Sequence, residues 1–319
     1  MKRRFFALSV AVVVTASLAA GCSSTNGSGS SGVELHNLTV AAVPAADSAG
    51  VYIAKQDGLF AAEGLNVSIV PAISSATVIS AQMAGKYDVT SGNYVSYILA
   101  NAKQHADFRI LAAGSIMQPH VQDLMIPGNS SIRTVAQLKG KTIALNVTGG
   151  IGQLLVSALL TANMISPGQV HFVPVDFPLM AQALKRHQVA AAFMPEPFAT
   201  GAEESVGAEP LADLDQGAVT SLPISGYAVT QSWLNKYPKT AAAFRKAIIE
   251  AQRIADTDPG AVEKAMVTFS KGVTATAAAV MASPNFPLDT DGVLLQRVAD
   301  LMQEFGLIHQ HYSISPMIP

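Results

Sequence analysis

The stretch LKGKTIALNVTGGIGQLL, Leu138 to Leu155, joins a Gly-Lys-Thr triplet to an apolar run and a glycine-rich turn. Such a triplet holds nucleotide phosphates only at the end of a loop that begins with a glycine and runs from the lysine into a helix. Val135 occupies the position where that glycine is needed, and Lys141 precedes a β-branched run. Phosphate-loop chemistry is therefore excluded, and Lys139-Gly140-Lys141 reads as a surface turn feeding a buried strand. Asn146-Val147-Thr148-Gly149-Gly150 is different. It connects the carboxyl end of a predicted strand to a helix start, where free N–H groups favour negative or polar atoms and glycines permit close approach.

Three earlier segments repeat this arrangement: Pro44-Ala45-Ala46-Asp47-Ser48, Ile73-Ser74-Ser75-Ala76-Thr77 and Ser91-Gly92-Asn93-Tyr94. Ligands of open α/β sheets sit outside the carboxyl ends of strands. Those loops, facing Asn146–Gly150, Asp176-Phe177 and Glu196, would line a polar, partly aromatic pocket. The candidate ligand-binding residues are Asp47, Ser48, Ser74, Ser75, Thr77, Ser91, Asn93, Tyr94, Asn146, Thr148, Gly149, Gly150, Asp176, Glu196 and Tyr227. Tyr94 and Tyr227 are candidates for stacking on a planar ligand. Two alternatives stay open: Thr148 could simply cap a helix, and either tyrosine could be a core residue with its hydroxyl tied to backbone.

None of these loops carries Arg or Lys, and three of the candidates are carboxylates. An anion of four heavy atoms could gain at most about 6 kcal/mol, which is tens of micromolar. The charge pattern favours a neutral or amine-bearing organic ligand. His309-Gln310-His311 has no further ligand at a metal-binding spacing, so no metal site is expected. No GxSxG elbow is present, and no cofactor fingerprint or catalytic carboxylate pair is recognisable.

The rest of the composition narrows the class. The chain has 319 residues, half of them hydrophobic and 13% charged, with a formal net charge of −2. That balance excludes a disordered chain, and no basic patch points to nucleic acid. Lys2, Arg3 and Arg4 precede an apolar run from Phe5 to Ala20, too short to span a membrane and typical of a secretion signal. The run ends Leu18-Ala19-Ala20-Gly21-Cys22, and Cys22 is the only cysteine. This resembles a bacterial lipobox, although Ala19 stands where such motifs usually carry Leu, Val or Ile. The expected organisation is a signal peptide at 1–21 and, at 22–33, a flexible tether lipidated on Cys22 that holds the folded body at the extracytoplasmic face of the cell membrane. No disulfide or thiol chemistry is then available to the mature body.

Positioning these loops requires strands alternating with helices from Leu38 to Ala113, a second such series from Gln122 to Phe193, and then almost continuous helix after Ser232. This predicts an α/β fold of two lobes, each a mostly parallel sheet flanked by helices. If the C-terminal helices pack on the first lobe, residues 34–115 and 224–319 form lobe 1 and 116–223 form lobe 2. The chain then crosses a hinge twice, near Ser115–Val121 and near Gly217–Gly226.

Several segments carry a family resemblance. Tyr52-Ile53-Ala54-Lys55-Gln56-Asp57-Gly58-Leu59-Phe60, Glu63-Gly64-Leu65-Asn66-Val67, Met83-Ala84-Gly85-Lys86-Tyr87-Asp88-Val89, Leu138-Lys139-Gly140-Lys141-Thr142-Ile143-Ala144 and Glu196-Pro197-Phe198 occur in family order. The chain after Leu38 resembles the solute-binding proteins of nitrate, sulfonate, taurine and thiamine-precursor ABC transporters. His187 and Ala190 depart from the Gly and Asp common in relatives. The resemblance implies a type II periplasmic-binding-protein fold and a monomer that captures a sulfonate-, taurine- or thiamine-pyrimidine-like solute for a permease and its ATPase. It implies no enzymatic activity. Some thiamine-precursor relatives make a pyrimidine with a cysteine-rich loop, which this chain lacks. A sensing or scaffold lipoprotein is the alternative reading.

Overall fold

The computed structural model describes residues 32–318; the expected secretion signal, Cys22 and nearly all of the expected tether lie outside the described residues. Among the described residues, ten strands form two five-stranded sheets. The first contains β1 (Asn37–Ala42), β2 (Asn66–Pro71), β3 (Val89–Asn93) and β4 (Phe108–Ile116). The second contains β5 (Gln122–Ile126), β6 (Thr142–Leu145), β7 (His171–Pro174), β8 (Ala191–Pro195) and β9 (Glu209–Asp213). The last strand, β10 (Pro223–Thr230), returns to the first sheet.

The strand orders, β2-β1-β3-β10-β4 and β7-β6-β8-β5-β9, place one visiting strand at the same position in each sheet. β10 runs antiparallel to β3 and β4, and β5 runs antiparallel to β8 and β9. The remaining neighbours are parallel. Both sheets are therefore mixed rather than simply parallel. The reason is connectivity: a strand arriving from the other sheet enters without a crossover helix and pairs antiparallel on both sides. The passages are residues 117–121 and 214–222, and Met117 N–H donates to the Leu222 carbonyl, tying one to the other. The double crossing expected from the sequence is thus present.

Among the described residues, twelve α-helices cover the sheets. Before the first passage come α1 (Ala49–Gln56), α2 (Leu59–Ala62), α3 (Ser75–Met83) and α4 (Tyr94–Gln104). The second sheet carries α5 (Ile151–Ala162), α6 (Phe177–Lys185) and α7 (Phe198–Val206). After β10 come α8 (Gln231–Lys236), α9 (Pro238–Thr257), α10 (Pro259–Phe269), α11 (Ala275–Val280) and α12 (Gly292–Glu304). Gly58, in the left-handed region at φ 74°, splits what reads in sequence as one helix into α1 and α2. α7, α8 and β9 carry no clear sequence signal. Pro210 lies inside β9, where proline is tolerated because β9 is an edge strand.

α9 and α10 pack on α1, and α12 packs on α4 and β10, so most of the C-terminal helices lie against the first sheet. α11 instead reaches α7 beside the second sheet. One apolar core gathers Tyr52, Phe60, Tyr227 and Phe244 beneath α1 and α9. The other runs without interruption from α4 and α12 into α5 and the second sheet, through Val95, Ile98, Leu154, Phe193 and Val298. The two sheets are joined by packed apolar surface as well as by two chain passages. No helix among the described residues is long and apolar enough to cross a membrane.

Candidate functional site

The carboxyl ends of β1, β2 and β3 meet as a single rim. After β1 a short 3-10 turn, Ala46–Ser48, leads into α1. Ser48 Oγ lies 3.0 Å from Ser91 Oγ at the end of β3. Asn93 N–H donates to Ser75 Oγ at 3.1 Å, drawing the start of α3 onto the same edge. Ser74 caps α3 by accepting from Thr77 N, and Asn93 caps α4 by accepting from Ser96 N at 2.9 Å. Ser, Thr and Asn at helix starts satisfy backbone donors in this way. Six of the candidate residues, Asp47, Ser48, Ser74, Ser75, Ser91 and Asn93, are brought together here; Thr77 is exposed just behind them. Ser115 and Ser225 join them, their hydroxyls 3.0 Å apart, with Ser225 Oγ donating to the Asp47 carbonyl. In the sequence these two fall in the expected hinge segments rather than among the candidate ligand-binding residues.

Asp47 is the most unusual member. Its Oδ1 is buried and has no hydrogen-bond partner among the described residues. Burial raises its pKa to about 6 from an ordinary 3.8, despite the Ser48 hydroxyl beside it. A buried acceptor without a donor is costly, of the order of 1–3 kcal/mol. Nearby, Gln252 donates through Nε2 to the Ala113 carbonyl while its own Oε1 is likewise buried and unpartnered. Gly50 leaves room for that amide, since a Cβ there would stand 2.2 Å from Gln252 Oε1 and 3.0 Å from the Tyr227 hydroxyl.

Tyr94 and Tyr227 are not stacking platforms in this structure. Tyr227 is fully buried, accepts the Val51 N–H at 3.0 Å on its hydroxyl and sets its ring edge-on to Phe244. Tyr94 is buried against Gly226, where a Cβ would approach its ring to 2.7 Å. Both faces are taken by protein, and burial raises both hydroxyl pKa values. The core alternative is the one realised.

The second rim follows β6 and β8. Gly149, at φ 78°, and Gly150 open α5. Gly149 N–H donates to Gln153 Oε1 at 2.8 Å, so one of the free donors is already satisfied. The glycines do permit a close approach, but by protein: a Cβ on Gly149 would lie 3.9 Å from Leu99 of α4. A groove of about 170 Å³ runs between Ser96, Leu99 and Gln104 on one side and Val147 to Gly150 on the other. Thr148 is exposed there, and Asn146 is half-buried at the end of β6. Asp176 precedes α6 without capping it and makes no side-chain hydrogen bond among the described residues.

Glu196 is buried, yet its carboxylate is occupied. Thr200 Oγ1 donates to Oε1 at 2.7 Å and Thr200 N to Oε2 at 3.2 Å. The backbone N–H of Ala282, which follows α11, also stabilises the charge. In this structure the carboxylate holds the first turn of α7. Its backbone carbonyl accepts the Ala46 N–H at 2.9 Å, a direct hydrogen bond between the two rims. Thr274 Oγ1 adds a contact to Glu204 Oε2 at 3.3 Å. His309 and His311 are exposed, and His311 Nδ1 is 3.8 Å from Asp300.

Burial raises Glu196 to about 7 and Asp47 to about 6. In the unfolded chain both release their protons near pH 4, while the folded protein holds them longer. Stability should therefore fall as pH rises from about 4 to about 7, then level off, contrary to the usual behaviour of paired carboxylates. Melting temperatures across pH 4–8 check this: Asp47→Asn and Glu196→Gln should each flatten the decline, and an unchanged profile in both would contradict the assignment.

The geometry agrees with what comparison finds. The chain is 29% identical over 274 residues to a Brachyspira hyodysenteriae protein described as a candidate ABC transporter periplasmic binding protein, covering 82% of this chain and 77% of that one. The alkanesulfonate-binding protein SsuA from Xanthomonas axonopodis pv. citri, solved with MOPS bound, superposes with a TM-score of 0.77 at 18% identity, over 90% of this chain and 99% of that one. The nitrate-binding protein NrtA from Synechocystis PCC 6803 gives 0.74 at 15%, over 86% and 83%. The sequence model of one family, NMT1/THI5 like, matches residues 45–262, which is more than half of the chain. With that match spanning both sheets and both passages between them, the chain belongs to the NMT1/THI5-like family.

Proposed function

We propose that the protein is the extracytoplasmic solute-binding component of an ABC importer. Residues 34–115 with 224–319 and residues 116–223 act as two lobes that close on a small organic solute and present it to a permease driven by an ATPase. Processing at Cys22 and lipidation there would hold a monomeric receptor at the membrane. Binding, with no chemistry of its own, is the function. Family membership and the likeness to sulfonate- and nitrate-binding proteins support the transport role.

The observation that carries the ligand reading is the buried, unpartnered Asp47 Oδ1 within a rim of helix starts hydrogen-bonded across to Glu196. Helix starts favour an anionic or polar end, each by about 0.3–1 kcal/mol. A carboxylate lacking a donor favours an N–H or ammonium. Together they fit a compound bearing both, such as an aminosulfonate of the taurine type, or an aminopyrimidine. Calorimetry with taurine, ethanesulfonate, an aminopyrimidine and nitrate tests this. Taurine or the aminopyrimidine should bind at least tenfold more tightly than ethanesulfonate or nitrate; equal affinity for the simple anions, or binding of none, would overturn it.

A further inference from the structure

Beside the second rim, where the Glu196 N–H donates to the Val121 carbonyl, the fold assembles a group that no spacing in the sequence announces. His120 lies in the first passage between the sheets, Asp123 in β5, and Asp213 at the end of β9, 93 positions from His120. One ligating atom from each lies within 4.8 Å of the other two. The His120 imidazole is 59% exposed and so open to solvent, whereas the Asp123 side chain is only 5% exposed. His120 Nδ1 is 3.3 and 3.2 Å from the two Asp123 oxygens. Those separations exceed the roughly 2.7–2.9 Å of a good charge-assisted N–H···O bond. They match the edge of a tetrahedron with metal–ligand bonds of about 2.0–2.1 Å, which is about 3.3 Å.

Asp213 is fixed for the same purpose. Its Oδ1 accepts the N–H of His120 at 3.1 Å and of Asp215 at 2.9 Å, which orients the carboxylate and leaves Oδ2 for another partner. Held this way, a carboxylate has the outer support that metal ligands usually show. We propose that His120, Asp123 and Asp213 form a binding site for a divalent transition-metal cation of the Zn²⁺ or Co²⁺ type, with water completing it. An imidazole among carboxylates selects such ions over Mg²⁺ or Ca²⁺, which favour all-oxygen sets. The bound ion would pin residues 117–121, at the first passage, to β5 and β9 and so stiffen the joint between the sheets.

The test uses the full folded body, stripped of metal with a chelator and free of solute. Zn²⁺ should raise its melting temperature by several degrees, and Mg²⁺ should not. Co²⁺ should give the intense visible bands of a four-coordinate site. His120→Ala, at an exposed side chain, and Asp213→Asn should each weaken Zn²⁺ binding at least tenfold while the metal-free circular dichroism stays unchanged. The site is overturned if Zn²⁺ has no effect, if His120→Ala retains full affinity, or if the effect disappears instead with His311→Ala. Because no solute is present, these outcomes leave the transport reading untouched.

Discussion

An Asp47→Asn variant is expected to melt about 2–6 °C above the parent protein at pH 8 and to bind its amine-bearing solute ten- to a hundredfold more weakly. Both effects come from one buried atom. Asp47 Oδ1 has no donor among the described residues, and burial raises the carboxyl pKa to about 6. At pH 8 the folded protein must carry that charge, whereas the unfolded chain carries it in water. The asymmetry costs of the order of 1–3 kcal/mol, which a neutral amide of the same shape removes. For a chain of this size each kcal/mol moves the melting point by about 2 °C. Below about pH 4 the carboxyl is protonated in both states, so the gain should vanish there. The solute loses a charge-assisted hydrogen bond of about 1.5–3 kcal/mol. Melting curves at pH 3.5 and 8, with calorimetry on taurine and an aminopyrimidine, measure both halves. Tighter binding by the variant would reverse the sign of the ligand charge, and equal stability at pH 8 would mean that Asp47 is adequately solvated.

An Ala46→Pro variant should fold normally but close poorly, with solute affinity reduced about thirty- to a hundredfold. Ala46 begins the 3-10 turn, a position where proline is tolerated, and Ala45 ahead of it is already extended at φ −124° and ψ 162°. Proline therefore suits the local backbone. What it removes is the N–H that donates to the Glu196 carbonyl across the rims, and its ring places carbon where that hydrogen stood. Loss of the bond, together with a buried carbonyl left unpaired, costs about 2–3 kcal/mol when the rims meet, which on the proposed closure is the solute-bound state. The test pairs solute affinity with small-angle scattering. The variant should keep its melting temperature without solute and remain extended at solute concentrations that compact the parent. Parental affinity would show that this bond does not hold the rims together. A collapse in stability without solute would show that it supports the fold rather than closure.

Much of the architecture was legible along the chain because each element obeys a local rule. Strands such as Gln122–Ile126 and Thr142–Leu145 are short apolar runs, and their bounds agree with the structure. Ser74 and Asn93 sit ahead of apolar helices and do cap them. The loops after β1, β2 and β3 could be named because parallel strands must end on the same edge. What failed locally failed for identifiable reasons. β9 contains a proline that only an edge position tolerates. The α1–α2 break depends on the left-handed conformation at Gly58.

The side-chain roles divided differently. Residue type alone located a rim of hydroxyls, amides and one carboxylate without any lysine or arginine, since that depends only on which residues follow the strands. Whether a tyrosine faces ligand or core, whether Glu196 is free or occupied, and whether His120 has company depend on neighbours far away in the chain. Tyr227 is sealed by Phe244 and the start of α1, Glu196 by Thr200 and Ala282, and His120 meets Asp213 only because β9 pairs with β5. Backbone preferences act over a few residues and can be read in order along the chain. Burial and hydrogen-bond partnership are set by segments that meet only when two sheets exchange strands, so they emerge only in the folded molecule.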